Sequence, residues 1–434
     1  MGSLDRSCPP NRRSITIVWG RTRLSALRDP SDERLRWISE QTDCGSGAMM
    51  KPCGWLAWLC CASLVVAASS APGLDYVKIK RNNRVRSVTG RLVVEAQDGG
   101  VLIEDQMGVL WAIQPQERIS HDEDDLPFER FDVKQIQTRL LAELPAGFRV
   151  FTTAHYLVCY NTSTPYAQWC GALYERLYRG FFVFWKNRGW ELEEPTTRLI
   201  AVVFDNQESY ASYADEELGA AANVIIGYYS LQSNRVMMYD LTGVDGLGFG
   251  RSRASTAKHV NRILSQPAAE RTVATIIHEA THQLAFNCGL QIRYADNPLW
   301  LSEGLAIYFE TPDLKNSRGW RRIGSVSRVR LPEFRRYLQA RPADSLLTLI
   351  ADDSRFRHPI VRQRNEAYAE AWALNYFLIR RYPRAFVTYL KQLSSKRPLV
   401  QDGKEQRVAE FKAAFHGDLE KLDREFLRFM KRVK

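Results

Sequence analysis

The sequence predicts an α+β protein, with a small N-terminal β module, a mixed β-sheet lobe and a mainly helical C-terminal lobe. Three observations predict this class. Short apolar runs joined by glycine turns fill residues 76–118. Strand-like and helix-like segments alternate over residues 132–242. Amphipathic helical patterns dominate residues 270–434, and a chain of 434 residues is long enough for several such units.

The chain carries an export-like segment at residues 49–71, MMKPCGWLAWLCCASLVVAASSA. Lys51 precedes an apolar run over 54–68, and small residues follow it. This layout is typical of a secretory signal peptide, which predicts a periplasmic, cell-envelope or extracellular protein. The run is shorter than the roughly 20 residues of a membrane span, although an uncleaved signal anchor remains the alternative.

Residues 1–48 precede this segment, although a secretory signal peptide lies at the N-terminus of its chain. They show no helical or strand period, so we interpret Met49 or Met50 as the true translation start. The alternative is a disordered cytoplasmic extension. Residues 1–71 hold a net +3 of the formal +11, which leaves +8 for the remainder. That charge suits an anionic cell envelope or simply solvated faces, and no nucleic-acid motif accompanies it.

Cysteine usage excludes a disulfide scaffold, because only three cysteines follow residue 71. Cys159 and Cys170 could pair in an oxidising compartment and leave Cys288 free. Spacing alone does not decide this pairing.

The segments between residues 119 and 269 follow in order. We expect an acidic linker at 121–125, and a helix over 132–144 whose apolar face holds Val133, Ile136, Leu140, Leu141 and Leu144. Further strands and helices are expected at 148–160, 166–187, 198–204, 207–218, 224–230 and 235–240. Residues 243–269 are glycine-rich and then basic, which predicts a flexible loop. Its part at 243–250 is a candidate lid over a cleft, or a disordered segment.

The stretch TIIHEATHQLAF at 275–286 places polar, titratable groups among apolar neighbours. We expect a helix with Ser265 as its cap, Pro267 in its first turn and Gly289 at its end. His278 and His282 then lie on one face, where both imidazoles can bind one metal ion. Glu279 lies beside them, which completes the H-E-x-x-H pattern of zinc metalloproteases; two unrelated helix histidines are the alternative.

A third ligand is expected from WLSEGLAIYFE at 300–310. Glu303 lies 21 residues after His282, in a second helix whose apolar residues predict close packing. A packed glutamate is costly unless it is paired or coordinated, and metal coordination accounts for it.

These motifs, together with AYAEAWALNYFL at 367–378, resemble those of gluzincins, the thermolysin-like zinc metallopeptidases. The closer match is an uncharacterised family of exported bacterial proteins in the same clan. The resemblance spans about residues 148–430. It implies a gluzincin-like domain in which His278, His282 and Glu303 ligate one Zn²⁺. It further implies that Glu279 is the general base for hydrolysis of a peptide or protein substrate.

The resemblance also implies an oxyanion-stabilising side chain, for which Tyr368 is the candidate and His358 the second. A helix-packing role for Tyr368 stays open. Some gluzincins carry an aspartate four residues after the third ligand, where this chain has Ile307. Glu310 could orient a histidine instead, although a solvated helix end is the interpretation we prefer for it.

Strand 235–240 is a candidate edge that pairs with an extended peptide. The other histidines, His121, His155, His259 and His416, are each expected to stand alone in structural or solvated positions. Three function classes remain. The first is an exported zinc metallopeptidase. The second is a catalytically silent envelope-associated binding protein on the same scaffold. The third is an amidase that acts on cell-wall peptide with the same chemistry.

Overall fold

The computed structural model describes residues 73–243, 256–266, 269–311, 323–415 and 417–434. The predicted α+β class is confirmed: two sheets precede a mainly helical C-terminal region. The expectations for 1–48, for the signal peptide at 49–71 and for most of the 243–250 lid concern residues outside the described part. Among the described residues, no helix has the length and apolar character needed to cross a membrane.

The N-terminal module is a five-stranded antiparallel sheet with the order β4-β3-β2-β1-β5. Its strands are β1 (Leu74–Arg81), β2 (Arg84–Glu95), β3 (Val101–Asp105), β4 (Leu110–Ile113) and β5 (Arg118–Asp124). Asn82 and Asn83, both at positive φ, form the tight turn between β1 and β2. One face of the sheet buries Val77, Ile79, Val88, Val101, Ile103 and Ile113.

The acidic linker expected at 121–125 is wrong, because most of it belongs to β5. Main-chain pairing with β1 holds this acidic segment in a strand. A side-chain contact supports the pairing, since His121 Nε2 lies 2.6 Å from Asp75 Oδ1 on β1.

The second sheet has the order β6-β7-β8-β10-β9. Its strands are β6 (Arg149–Thr152), β7 (Tyr156–Tyr160), β8 (Leu199–Phe204), β9 (Gly227–Tyr229) and β10 (Arg235–Tyr239). Strands β7, β8 and β10 are parallel neighbours, whereas β6 and β9 are antiparallel edges. The single strand predicted at 148–160 is therefore a hairpin. The edge-strand prediction for 235–240 is wrong, because β10 pairs on both sides and β9 is the edge.

Twelve α-helices lie in the described part of the chain. They are α1 (Val133–Glu143), α2 (Thr164–Lys186), α3 (Gln207–Leu218), α4 (Ala257–Leu264), α5 (Glu270–Asn287), α6 (Leu299–Phe309), α7 (Arg330–Tyr337), α8 (Ser345–Ala351), α9 (Val361–Arg381), α10 (Pro383–Leu393), α11 (Lys404–Ala414) and α12 (Leu419–Arg432). Helices α1, α2 and α3 confirm the predicted ones, except that Leu141 is 41% exposed and leaves the apolar face of α1.

Helix α4 lies inside the segment predicted to be a flexible loop at 243–269. It forms because Val260, Ile263 and Leu264 are buried on one face, and because the Thr256 side chain accepts a hydrogen bond from His259 N. Ser265 follows the end of α4, so the predicted cap for the next helix is wrong.

The next helix, α5, begins at Glu270. Gly289, at φ +75°, follows its end as expected. All three cysteines after residue 71 are buried free thiols, so Cys159 and Cys170 are not paired.

Packing of α5 and α6 positions the functional residues. Helix α5 contacts β9 and β10 on one side and α6 on another, and α6 packs along α9. Gly304 allows this last approach, because a Cβ there would clash with the Ala371 carbonyl and the Asn375 amide. Asn375 Nδ2 donates to Trp300 O at 3.0 Å and to Ala371 O at 2.9 Å. The close crossing therefore holds the helix that carries Glu303.

Candidate metal centre

Three potential ligand atoms converge between α5 and α6. His278 Nε2 and His282 Nε2 lie 3.1 Å apart, one helical turn from each other on α5. From α6, Glu303 Oε2 lies 3.1 Å from His278 Nε2, and Glu303 Oε1 lies 3.5 Å from His282 Nε2. All three residues are buried, and the group can hold a metal ion. The structure thus brings together the three residues that the sequence predicted as ligands.

The separations fit a tetrahedral ion. Bonds of about 2.0–2.1 Å to zinc place neighbouring tetrahedral ligand atoms roughly 3.4 Å apart. The observed separations of 3.1 to 3.5 Å, which involve both Glu303 oxygens, lie close to that value. Two imidazole nitrogens and one carboxylate are also a donor set that catalytic zinc sites use, with a fourth position left open. Donor chemistry and spacing therefore both suit a divalent cation.

Glu310 fixes the orientation of His278. Its Oε1 atom lies 2.6 Å from His278 Nδ1, and its side chain is 22% exposed. The preferred interpretation of Glu310 as a solvated helix end is therefore wrong. Ile307 occupies the position one turn earlier and is fully buried. Because α6 ends at Phe309, the Glu310 side chain can reach across to α5. This contact directs His278 Nε2 at Glu303.

Glu279 lies beside the ligand group and keeps one oxygen without a protein partner. Its Oε2 atom accepts a hydrogen bond from Tyr229 N on β9 at 2.8 Å. Its Oε1 atom is buried and has no hydrogen-bond partner within the described residues. A buried carboxylate oxygen without a partner is costly, and such atoms in native proteins generally meet a water, an ion or a ligand. This oxygen is therefore available to a water at the centre.

The buried groups shift one another's protonation. Burial alone lowers the pKa of His278, but hydrogen bonds to Glu303 and Glu310 raise it to about 10. Burial lowers the pKa of His282 to about 4. Burial also raises the pKa of Glu279 to about 8. A ligating imidazole must be unprotonated, so a bound cation would replace the proton on His278.

Tyr368 lies on α9, the helix that packs along the Glu303-bearing α6. The residue is buried, and its ring meets Phe356 edge-on with centroids 5.2 Å apart. Burial raises the pKa of Tyr368 well above its usual 10, and the charges of Glu303 and Glu279 raise it further. The position is compatible with both interpretations of this side chain, as an oxyanion donor and as a packing aromatic.

His358, the second candidate, is engaged in its own loop. Its Nδ1 atom accepts a hydrogen bond from Ile360 N at 3.1 Å.

The expectation that the other histidines stand alone is wrong for two of them. His121 contacts Asp75, as described above. His155 Nδ1 lies 2.8 Å from Glu175 Oε2, and its ring stacks on Tyr178 at 3.8 Å between centroids. His259 lies on α4, and His416 is outside the described residues.

Sequence reasoning gave the Glu310 contact only as the less favoured alternative, and it missed the contact of Tyr229 N. The sequence offered one weak signal for the first: an acidic residue one turn beyond Ile307. It offered none for the second, because a backbone amide is common to every residue except proline.

Comparison with known proteins gives one partial match. A family model described as "Protein of unknown function (DUF1570)" matches residues 272–400. This region contains His278, Glu279, His282, Glu303 and Tyr368. No curated protein matches the chain at a significant level. The match covers less than half of the chain and names no activity.

Proposed function

We propose that the chain is an exported, zinc-dependent metallopeptidase of the gluzincin type that hydrolyses peptide bonds. One observation carries the proposal: the convergence of His278, His282 and Glu303, with the unpartnered Oε1 atom of Glu279 beside them. Export is supported by the signal-peptide pattern at 49–71.

The proposal gives each residue of the centre a role. His278, His282 and Glu303 hold the ion, which when bound supplies Lewis acidity and lowers the pKa of an adjacent water toward about 7. Glu279 takes the proton from the attacking water and passes it to the leaving amine. The hydrogen bond from Tyr229 N holds one Glu279 oxygen and leaves the other to face the water. Tyr368 donates a hydrogen bond to the developing oxyanion.

The main alternative is a catalytically silent binding protein on the same scaffold. The buried Glu279 argues against it, because a binding protein has no need of a water-activating carboxylate, and an unpartnered buried carboxylate destabilises the fold. An amidase that acts on cell-wall peptide uses the same residues in the same roles. Only the substrate distinguishes it from a peptidase.

The experiment compares wild type with Glu279→Gln on unstructured protein substrates such as casein, with zinc supplied. We expect the variant to bind as much zinc as wild type and to lose about 10²- to 10⁴-fold in cleavage rate, the usual contribution of a general base. Glu420→Gln, on an exposed face of α12, is the matched control and should cleave like wild type. Equal rates for wild type and Glu279→Gln, or no cleavage across a broad substrate panel, would contradict the proposal.

A further inference from the structure

Two arginines lie at the N-terminal ends of α7 and α9, close to Tyr368. Arg330 begins α7, and its guanidinium carbon lies 5.5 Å from the centroid of the Tyr368 ring. Arg364 lies in the first turn of α9, one helical turn before Tyr368. Its Nη1 atom donates to His358 O at 2.6 Å and to Pro359 O at 3.1 Å. Arg330 therefore lies against the Tyr368 ring, and Arg364 lies on the same helix as Tyr368, one turn nearer its N-terminus.

Tyr368 connects the arginines to the candidate metal centre. Helices α6 and α9 cross at Gly304, whose Cβ position meets the carbonyl of Ala371. Glu303 precedes Gly304, and Tyr368 precedes Ala371 by about one turn. Burial raises the pKa of Tyr368 most. The charge of Glu303 raises this pKa further, whereas the charges of Arg330 and Arg364 lower it. Arg330 contacts a ring that lies one helical turn from the α6–α9 crossing, next to the residue that carries the Glu303 carboxylate.

The guanidinium groups keep donors for a ligand. Arg330 Nη1 donates to Glu333 Oε2 at 2.9 Å, a contact between residues three apart on a partly exposed helix face. Because this contact uses one nitrogen of the guanidinium, a substrate carboxylate can bind Arg330 without displacing Glu333. Each guanidinium has five N–H donors, more than these contacts use. The Arg330 side chain is only 14% exposed, and partial burial strengthens a charge-assisted hydrogen bond.

The N-terminal end of α9 also favours a negatively charged ligand. This helix has 21 residues, and no side chain caps its N-terminus. Its dipole therefore favours negative charge near Arg364.

We infer that the substrate presents a carboxylate to Arg330 and Arg364 beside the scissile bond, either an acidic side chain or the C-terminal carboxylate of a peptide. This inference rests on the proposed function and names the substrate class of that same site. The overall positive balance of the chain agrees with an acidic substrate. Arginine suits the role because its planar group binds a carboxylate through two parallel hydrogen bonds.

The test uses four pools of random heptapeptides with zinc-loaded protein, and mass spectrometry follows their cleavage. One pair of pools carries glutamate or glutamine at the central position, with both ends blocked. The other pair has a central glutamine and either a free or an amidated C-terminus. We expect kcat/KM to be about tenfold higher for one acidic pool than for its neutral partner, as one charge-assisted hydrogen bond contributes. The pair that discriminates identifies which carboxylate is recognised.

Arg330→Gln and Arg364→Gln should each reduce the ratio of kcat/KM between the acidic and the neutral pool to within about threefold of unity, mainly through KM of the acidic pool. Arg336→Gln, an exposed arginine on α7, is the matched control and should retain the preference. Thermal unfolding checks that each variant is folded. If Arg330→Gln does not fold, Arg330→Lys replaces it as the test variant. Equal cleavage of the acidic and neutral pools by wild type overturns the inference and leaves the peptidase proposal standing.

If no pool is cleaved, that result counts against the proposed function. A binding measurement then tests the inference separately. Immobilised Glu279→Gln protein is incubated with the same pools, and the retained peptides are quantified. We expect about fivefold enrichment of one acidic pool over its neutral partner, and loss of that enrichment in a Glu279→Gln, Arg330→Gln double variant. No enrichment of either acidic pool overturns the inference.

Discussion

Glu310 Oε1 lies 2.6 Å from Nδ1 of His278, and Glu310 follows Glu303 by seven residues on the same stretch of chain. One helix and its end thus contact both sides of one imidazole. Glu303 faces Nε2, and Glu310 faces Nδ1. Carboxylate contacts to the second nitrogen of a ligating histidine fix its tautomer and its ring orientation. The arrangement makes Glu310 a positioning residue for the candidate metal centre.

Replacement of Glu310 by glutamine is expected to weaken zinc binding about 10- to 100-fold without removing it, because the ligand set remains but His278 loses its charged partner. Competition with a fluorescent zinc chelator measures the change in Kd. Glu420→Gln on α12 is the matched control. An unchanged Kd in the Glu310 variant would show that the contact does not orient His278 for an ion.

Removal of the ion is expected to destabilise the fold. A ligand that binds only the folded chain contributes about 4 kcal/mol to the free energy of unfolding when its concentration is 1,000 times Kd. Chelator treatment should therefore lower Tm, and added zinc should restore it. In His282→Ala, the chelator should leave Tm unchanged. Equal chelator sensitivity of the two proteins would place the bound metal elsewhere.

Gly304→Ala should lower the free energy of unfolding by about 1–3 kcal/mol, since the added methyl group pushes α6 away from Ala371 and Asn375 on α9. Denaturant titration measures this change. Gly403→Ala is the matched control, because a Cβ there meets only the Glu405 side chain at 3.5 Å. A Gly304 variant as stable as the control would mean that α6 and α9 do not pack as closely as described.

The ion pair between α1 and β10 offers a test of the sheet lobe. Arg235 is 3% exposed, and its Nη1 and Nη2 atoms donate to the Glu143 carboxylate at 2.6 and 2.9 Å. Glu143 itself is 45% exposed, but Glu143→Ala leaves the buried Arg235 donors without their partner, which should cost about 1–3 kcal/mol in the free energy of unfolding. Loss of less than about 1 kcal/mol, the range of exposed pairs, would show that Arg235 does not depend on Glu143 as its partner.

The local features of the centre could be predicted from the sequence. His278 and His282 share a helix face because their spacing matches one turn, and this needs no tertiary information. Glu303 was predictable because a glutamate in an apolar helix requires a partner. The direction of the Glu310 side chain depends on how α5 and α6 cross. The sequence could therefore suggest the Glu310 contact as an alternative, but it could not decide between that contact and a solvated helix end.

Other differences between the sequence predictions and the structure also arise from contacts between segments that are distant in the sequence. Residues 121–125 are acidic, which disfavours a strand locally, yet pairing with β1 decides their conformation. Strand 235–240 was predicted correctly as a strand, but its interior place depends on β8 and β9, which lie elsewhere in the sequence. Helix α4 has only eight residues, and its amphipathic pattern follows a glycine-rich segment that suggested a continuous loop.

A crystal structure of protein grown with zinc, with data collected at the zinc absorption edge, tests the central claim most directly. We predict one anomalous peak between α5 and α6, about 2.0–2.2 Å from His278 Nε2, His282 Nε2 and a Glu303 oxygen. Bound zinc at another place, or no peak between the two helices although zinc was supplied in excess, would contradict the account.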